Sequence, residues 1–212
     1  MKLWGSFKLE IGRKVNDPTA TKTAAALLDC VNDALRFLAV IHTGVASTNT
    51  ITGDGSTLSY SLPSDIVDSS DQSMVIGIYD VDNAIWLHES QFLPGQTLED
   101  GYYVWPSGSL NFKPAIADGE EVTVYYIRYF DEVVDDDSEI ALPGWAYEAV
   151  KLYAASRVLD DPVSQLSLIA SFRTRVDSGN PEHNPMLRLS KYYMSQFYDI
   201  INQVPAPQRD KL

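Results

Sequence analysis

The side chains able to do chemistry in this 212-residue chain are few, and their spacing suits none of the usual reactions. Cys30 is the only cysteine. His42 follows it twelve positions later, about 18 Å away along a helix rising 1.5 Å per residue, so the two form no thiol–imidazole dyad. Ser6, Ser90 and Ser107 lack the strand–turn–helix setting of a nucleophile elbow. His88-Glu89 and Glu182-His183 are adjacent pairs, and neither they nor His42 have zinc-ligand spacing. Gly53-Asp54-Gly55 lacks the glycine spacing and the lysine of a phosphate loop and reads as a hairpin turn. Asp135-Asp136-Asp137 could be imagined around a cation. It lacks the central glycine and terminal glutamate of a calcium loop, and reads as a solvated acidic linker or an inter-subunit contact. Asp80-Val81-Asp82-Asn83 reads as a turn, and Asp160-Asp161-Pro162 as a helix junction. No cofactor, metal or catalytic residue is expected, so the chain is not read as an enzyme.

Two other features carry more information. Residues 44–140 hold eighteen acids against two bases, Lys113 and Arg128, a net of −16 within a total of −13. Such a field repels a nucleic-acid backbone and argues against tight DNA binding, while leaving room for a surface past which DNA slides. Aromatic residues gather in the same stretch, at Tyr102, Tyr103, Trp105, Phe112, Tyr125, Tyr126, Tyr129 and Phe130. Tyr102, Tyr103, Trp105 and Phe112 are then either a platform for sugar rings or the filling of a small β core with a protein interface beside it.

The elements that would position these groups follow from hydrophobic period. At 45% hydrophobic and 21% charged the chain is globular. No apolar run approaches the ~20 residues of a spanning helix, so no membrane partner is expected. No signal peptide is read at the start, and the lone thiol fits a reducing compartment. Leu3, Phe7, Ile11 and Val15 set an i, i+4 stripe over residues 2–16, broken at Asn16-Asp17-Pro18. A second helix runs from about Thr21 to His42 on Leu27, Val31, Leu35 and Leu38. From Val45 the period becomes 2. Residues 47–51 and 58–62, 74–79 and 84–88, and 102–105 and 110–112 pair as three hairpins, and 122–130 is the longest strand. Helices return at Trp145, after Asp161-Pro162, and at Asn184-Pro185, with a break at Gly179-Asn180-Pro181. The expected class is α+β: an antiparallel helical bundle made by both ends of the chain, with an inserted small antiparallel β domain. The expected segments are 1–43 (helices), 44–140 (acidic β-rich insertion), 141–204 (three helices) and 205–212 (a flexible C-terminal arm).

Val15-Asn16-Asp17-Pro18, the helix segment Val31-Asn32-Asp33-Ala34-Leu35-Arg36, and Leu62-Pro63-Ser64-Asp65 together resemble a tailed-phage head-to-tail adaptor. So do Leu110-Asn111-Phe112-Lys113-Pro114, the Glu120 to Tyr126 strand, Leu142-Pro143-Gly144-Trp145, Glu148-Ala149-Val150 and Ala154-Ala155-Ser156-Arg157. The resemblance runs over about residues 1–204. It implies a structural virion protein at the head–tail interface, made in the host cytoplasm, whose copies form a twelve-fold ring under the portal protein ring and extend the DNA conduit. By resemblance Val204, Pro205, Arg209, Lys211 and Leu212 belong to an arm reaching the portal. The β insertion would meet a tail or nozzle/stopper protein, and double-stranded DNA would pass through without specific binding. Asp135, Asp136 and Asp137 are then candidates to face the channel, and the N-terminal stripe to order on assembly. The alternatives are a tail-completion or stopper ring protein, and a carbohydrate-binding module.

Overall fold

The segments of period 3.6 fold as helices and those of period 2 as antiparallel strands, giving the expected α+β class. A computed structural model describes residues 1–42, 44–69, 72–89, 101–105, 109–172 and 184–204, with backbone alone for 68, 69, 72, 73, 103–105 and 169–172. In chain order the elements are β1 (Lys2–Leu3), α1 (Trp4–Lys14), α2 (Ala24–Ile41), β2 (Val45–Thr52), β3 (Ser59–Ser61), β4 (Asp68–Ser69), β5 (Gln72–Ser73) and β6 (Val75–Asp80). Then come β7 (Ile85–Trp86), β8 (Gly101–Trp105), β9 (Ser109–Lys113), β10 (Glu121–Arg128), β11 (Glu139–Ile140), α3 (Ala146–Asp160), α4 (Pro162–Phe172) and α5 (Pro185–Gln203). Contacts divide them into two units: Met1–Leu38 with the described residues from Phe130 onward, and Ala39–Tyr129. The expected break at 179–181 lies outside the described residues, as do residues 106–108 between the expected strands 102–105 and 110–112.

In the first unit α3 is apolar on nearly every side. Ala146, Ala149, Val150, Leu152, Ala154, Ala155, Val158 and Leu159 are all buried, so the helix needs partners all round. It packs against α1, α4 and α5. Where it meets α5, the buried Ser156 hydroxyl donates to the Ser190 carbonyl at 2.9 Å and lies 3.0 Å from the Ser190 hydroxyl. A neighbouring cluster stacks Phe37 on Tyr153 (5.4 Å between ring centroids) and sets Tyr153 edge-on to Phe197 at 5.3 Å. On α1 the buried stripe is Trp4, Phe7, Ile11 and Val15. Leu3 is half exposed because it still belongs to β1, pairing with Glu139 of β11, so helical spacing starts one residue later than the sequence suggests. The stripe is packed within this single chain, with no second copy needed.

The link from α1 to α2 is built around a buried carboxylate. Asp17 accepts from the Lys22 amide (2.9 Å), the Thr23 amide (3.1 Å) and the Thr23 hydroxyl (3.1 Å) on one oxygen, and from the Thr19 hydroxyl (3.3 Å) on the other. Those donors lead into α2, so Asp17 satisfies amides that the helix start leaves without intrahelical partners. The turn closes tightly against α1. Asp17 donates its amide to the Gly12 carbonyl at 2.8 Å, and a Cβ on Gly12 would stand 2.4 Å from the Asp17 carbonyl oxygen.

The second unit stacks a four-stranded sheet, ordered β2-β10-β6-β7, and a three-stranded one, ordered β3-β9-β8, around Ile51, Ile78, Leu110, Phe112, Val122 and Val124; β4 and β5 pair separately. Along β10, Val122, Val124 and Tyr126 are buried while Thr123, Tyr125 and Ile127 alternate on the other face. Two expected hairpins form, β6–β7 and β8–β9. The third does not: β2 pairs along its whole length with β10, and β3 pairs with β9. The Asp54 carboxylate explains the departure, since it accepts from the amides of Ser56 (2.8 Å) and Thr57 (2.6 Å) and from the Thr57 hydroxyl (2.6 Å). Gly55, at φ 73°, completes a corner that carries the chain from one sheet to the other.

Asp17→Ala leaves two amides and a hydroxyl in a buried turn without acceptors. The expected loss is about 2 kcal/mol of stability, read as a lower urea midpoint at unchanged slope; an unchanged midpoint would show that the turn holds without the carboxylate.

Candidate functional site

The acids at 131–139 are the densest charge in the chain, and the structure gives them local work. Helix α1 begins with no acidic residue in its first turn and no side-chain cap. Its Trp4 amide donates to the Ser138 carbonyl (2.9 Å) and its Gly5 amide to the Asp136 carbonyl (3.0 Å), so the acidic turn itself closes the helix start and sets negative charge at its positive end. Inside the turn the Ser138 hydroxyl donates to Asp135 Oδ1 (2.8 Å) and the Asp137 amide to the same oxygen (3.2 Å). Lys8 Nζ lies 2.6 Å from Asp136 Oδ1. From the other side Asn32 holds Val133 by two bonds, its amide donating to the carbonyl (3.0 Å) and its carbonyl accepting from the amide (2.9 Å), while Arg36 pairs with Glu132. The contacts thus group residues 130–140 with the helices. Of the three candidate channel acids, Asp135 and Asp136 are engaged in this brace, and Asp137 is exposed with no side-chain hydrogen bond among the described residues.

A second charged cluster ties α1 to α3. Lys151 Nζ reaches Glu148 (2.5 Å) and Glu10 (3.2 Å), Lys2 reaches Glu10 (2.6 Å), and Lys14 reaches Glu148 (2.8 Å). The Lys2 ammonium, with Lys151 behind it, holds the Glu10 carboxyl below its ordinary range against a smaller effect of burial. At Glu148 partial burial pushes upward, and the bonds from Lys14 and Lys151 together outweigh it, so its carboxyl is also lowered. Elsewhere the titratable groups show no poised nucleophile. Burial first, and then the nearby Asp33 charge, push the Cys30 thiol up to about 11, which leaves it protonated and unreactive at neutral pH. No group of three or more histidine, cysteine or acidic side chains is arranged to hold a metal among the described residues.

The aromatic candidates separate sharply. Tyr102 and Phe112 are each 3% exposed inside the β core, and burial, with Glu89 close by, pushes the Tyr102 hydroxyl up to about 12. Neither can offer a ring face to a sugar, which corrects the platform reading for these two. Tyr103 and Trp105 lie on β8, and their side chains fall outside the described residues. The exposed aromatic surface is one that period counting missed. Trp86, 53% exposed, stands edge-on to Tyr79 at 5.4 Å and tilted against Tyr125 at 5.2 Å, on the face of the four-stranded sheet opposite its core. It lies over Gly77, where a Cβ would meet the indole at 3.1 Å. A glycine facing a tyrosine across a ladder, here Gly77 opposite Tyr125, was the available signal. Of the proposed arm, Val204 follows α5 and donates its amide to Ile201 at 3.3 Å, while Pro205, Arg209, Lys211 and Leu212 lie outside the described residues.

The lowered carboxyls fix the sign of an acid effect. A folded-state value below the unfolded one stabilises above the ordinary carboxylate range, and that contribution is lost as pH falls through the lowered values. Urea midpoints should therefore drop between about pH 5 and pH 3, and by less in Lys151→Met. The difference should be about 1 kcal/mol or less, since both carboxylates are about a third exposed or more. Equal acid sensitivity of the two proteins would remove the α1–α3 cluster as a source.

No curated protein matches the chain. A family model described as SU10 adaptor protein matches residues 3–206, spanning both units and all five described helices. With a match of that extent, over an architecture of terminal helices flanking an antiparallel β insertion, the chain belongs to the SU10 adaptor protein family and is a structural, non-enzymatic adaptor of the phage virion's head–tail interface.

Proposed function

We propose that this adaptor works as a ring of twelve copies beneath the portal, with residues 204–212 reaching onto the portal, and that the β-rich unit meets the tail or nozzle/stopper protein. The family match over residues 3–206 is the observation that carries this reading. Charge supports a conduit role. Residues 39–129 hold twelve acids against two bases, and a wall of that sign lets a duplex pass without adhering. Asp135, Asp136 and Asp137 are all exposed and could contribute to such a wall, Asp137 being the one whose side chain makes no hydrogen bond among the described residues. The chain is synthesised in the host cytoplasm and reaches the virion by assembly.

A tagged full-length copy captured from its source lysate should bring down about twelve copies on a second, larger oligomer when weighed by native mass spectrometry. Truncation after Val204 should abolish recovery of that oligomer while leaving the thermal midpoint of the free chain unchanged. Recovery of a lone copy would overturn the ring, and undiminished capture by the truncated chain would overturn the arm.

A further inference from the structure

The face of the four-stranded sheet that carries Trp86 is the one turned away from the core that holds Ile78, Val122 and Val124. On it the Trp86–Tyr79–Tyr125 cluster sits beside Thr123 and, one pair further along β10, Glu121. Val81 (45% exposed) continues the apolar patch at its end, next to Asp82. An exposed indole flanked by tyrosines and rimmed with carboxylates is chemically a receptor for cations on an apolar support, since aromatic faces and carboxylates both attract Arg and Lys. Glu121 is exposed and makes no side-chain bond among the described residues.

The chain displays a surface of the complementary kind. On α5, Arg188 and Lys191 are exposed one turn apart, neither has an ion-pair partner among the described residues, and Tyr192 beside them is 56% exposed. Elsewhere in the helical unit Lys2, Lys8, Lys14, Arg36 and Lys151 have carboxylate partners, while Arg13 and Arg157 are exposed singly, each on a different helix. We infer that the Trp86 face of one copy receives the Arg188–Lys191–Tyr192 face of a second copy. The two patches differ, so the contact is heterologous, the type that propagates head to tail and closes into a ring. It joins an acidic patch to a basic one, the arrangement that lets strongly acidic units associate. This assignment rests on the ring reading above and names the surfaces that would build the ring.

Charge reversal tests the pairing on the full-length chain. Arg188→Glu with Lys191→Glu, and separately Glu121→Lys, alter exposed side chains only, so circular dichroism and thermal midpoint should match the unmodified chain. Each variant should cut the copies per captured complex from the ring number to one or two, and Trp86→Ala should weaken assembly in the same direction. The chain carrying all three reversals should recover rings, because the charges are again opposed, and rings of the unmodified chain should dissociate as salt rises. Rings that form normally with either side reversed overturn this contact and leave the ring reading standing. Loss of rings that the threefold reversal does not restore overturns the pairing of these two faces. If the unmodified chain is captured as a single copy, the ring reading itself fails and takes this contact with it.

Discussion

Helix α3 has almost no surface to give to solvent, and the helical unit is arranged around that constraint. A segment with alanine, valine or leucine on every side cannot stand alone, yet it is short and its residues are small. Its partners come from both ends of the chain, α1 before the β insertion and α4 and α5 after it. Alanine and serine at the crossings let backbones approach, and the Ser156–Ser190 bond shows how a polar side chain is accommodated there by being satisfied across the interface. The fold tolerates a long β insertion because the helices on either side of it are bound to each other through α3.

The same requirement accounts for the acidic turn. Placing α1 against α3 leaves the start of α1 without an acceptor of its own, and residues 132–138 supply carbonyls, with Asn32 and Arg36 of α2 holding the turn from behind. A run of acids that looks like surplus charge in the sequence is therefore also a junction between α1 and α2. Its position at the positive end of α1 makes the charge an asset there, whereas the same run at a helix C-terminus would work against the fold.

Helices were legible because their signals are local. Apolar spacing, Asp161-Pro162 and Asn184-Pro185 each lie within a few residues of what they specify, and Asn184 does accept from the Met186 amide at 2.9 Å. Strand partners were less legible. Residues 47–51 and 58–62 alternate well enough to pair with each other, and nothing in their composition reveals that β10 and β9 compete for them and win. That outcome depends on the Asp54 corner and on partner strands far along the chain, Arg128 facing Val45 and Asn111 facing Ser59. The aromatic surface was harder still. Tyr102 and Trp86 both look like stacking residues by type, but strand parity and the neighbour across the ladder decide which ring is buried and which is left over a glycine.

These distinctions bear on how so acidic an adaptor could form the proposed ring of its own copies. Charge spread uniformly over a subunit would oppose every contact between copies, and a neutral subunit would have nothing to keep a passing duplex from its surface. In the proposed ring the two demands would fall on different segments. The helical unit neutralises much of its own charge through Lys8–Asp136, Arg36–Glu132 and the Lys151 cluster, while residues 39–129 keep their acids almost without bases. Within the β unit many of the acids serve the loops, as Asp54 and Asp80 do by accepting from nearby amides, so the charge is fixed by the fold that displays it. Removing that charge would therefore unfold turns as well as neutralise a surface, and this couples the shape of the unit to its electrostatic sign.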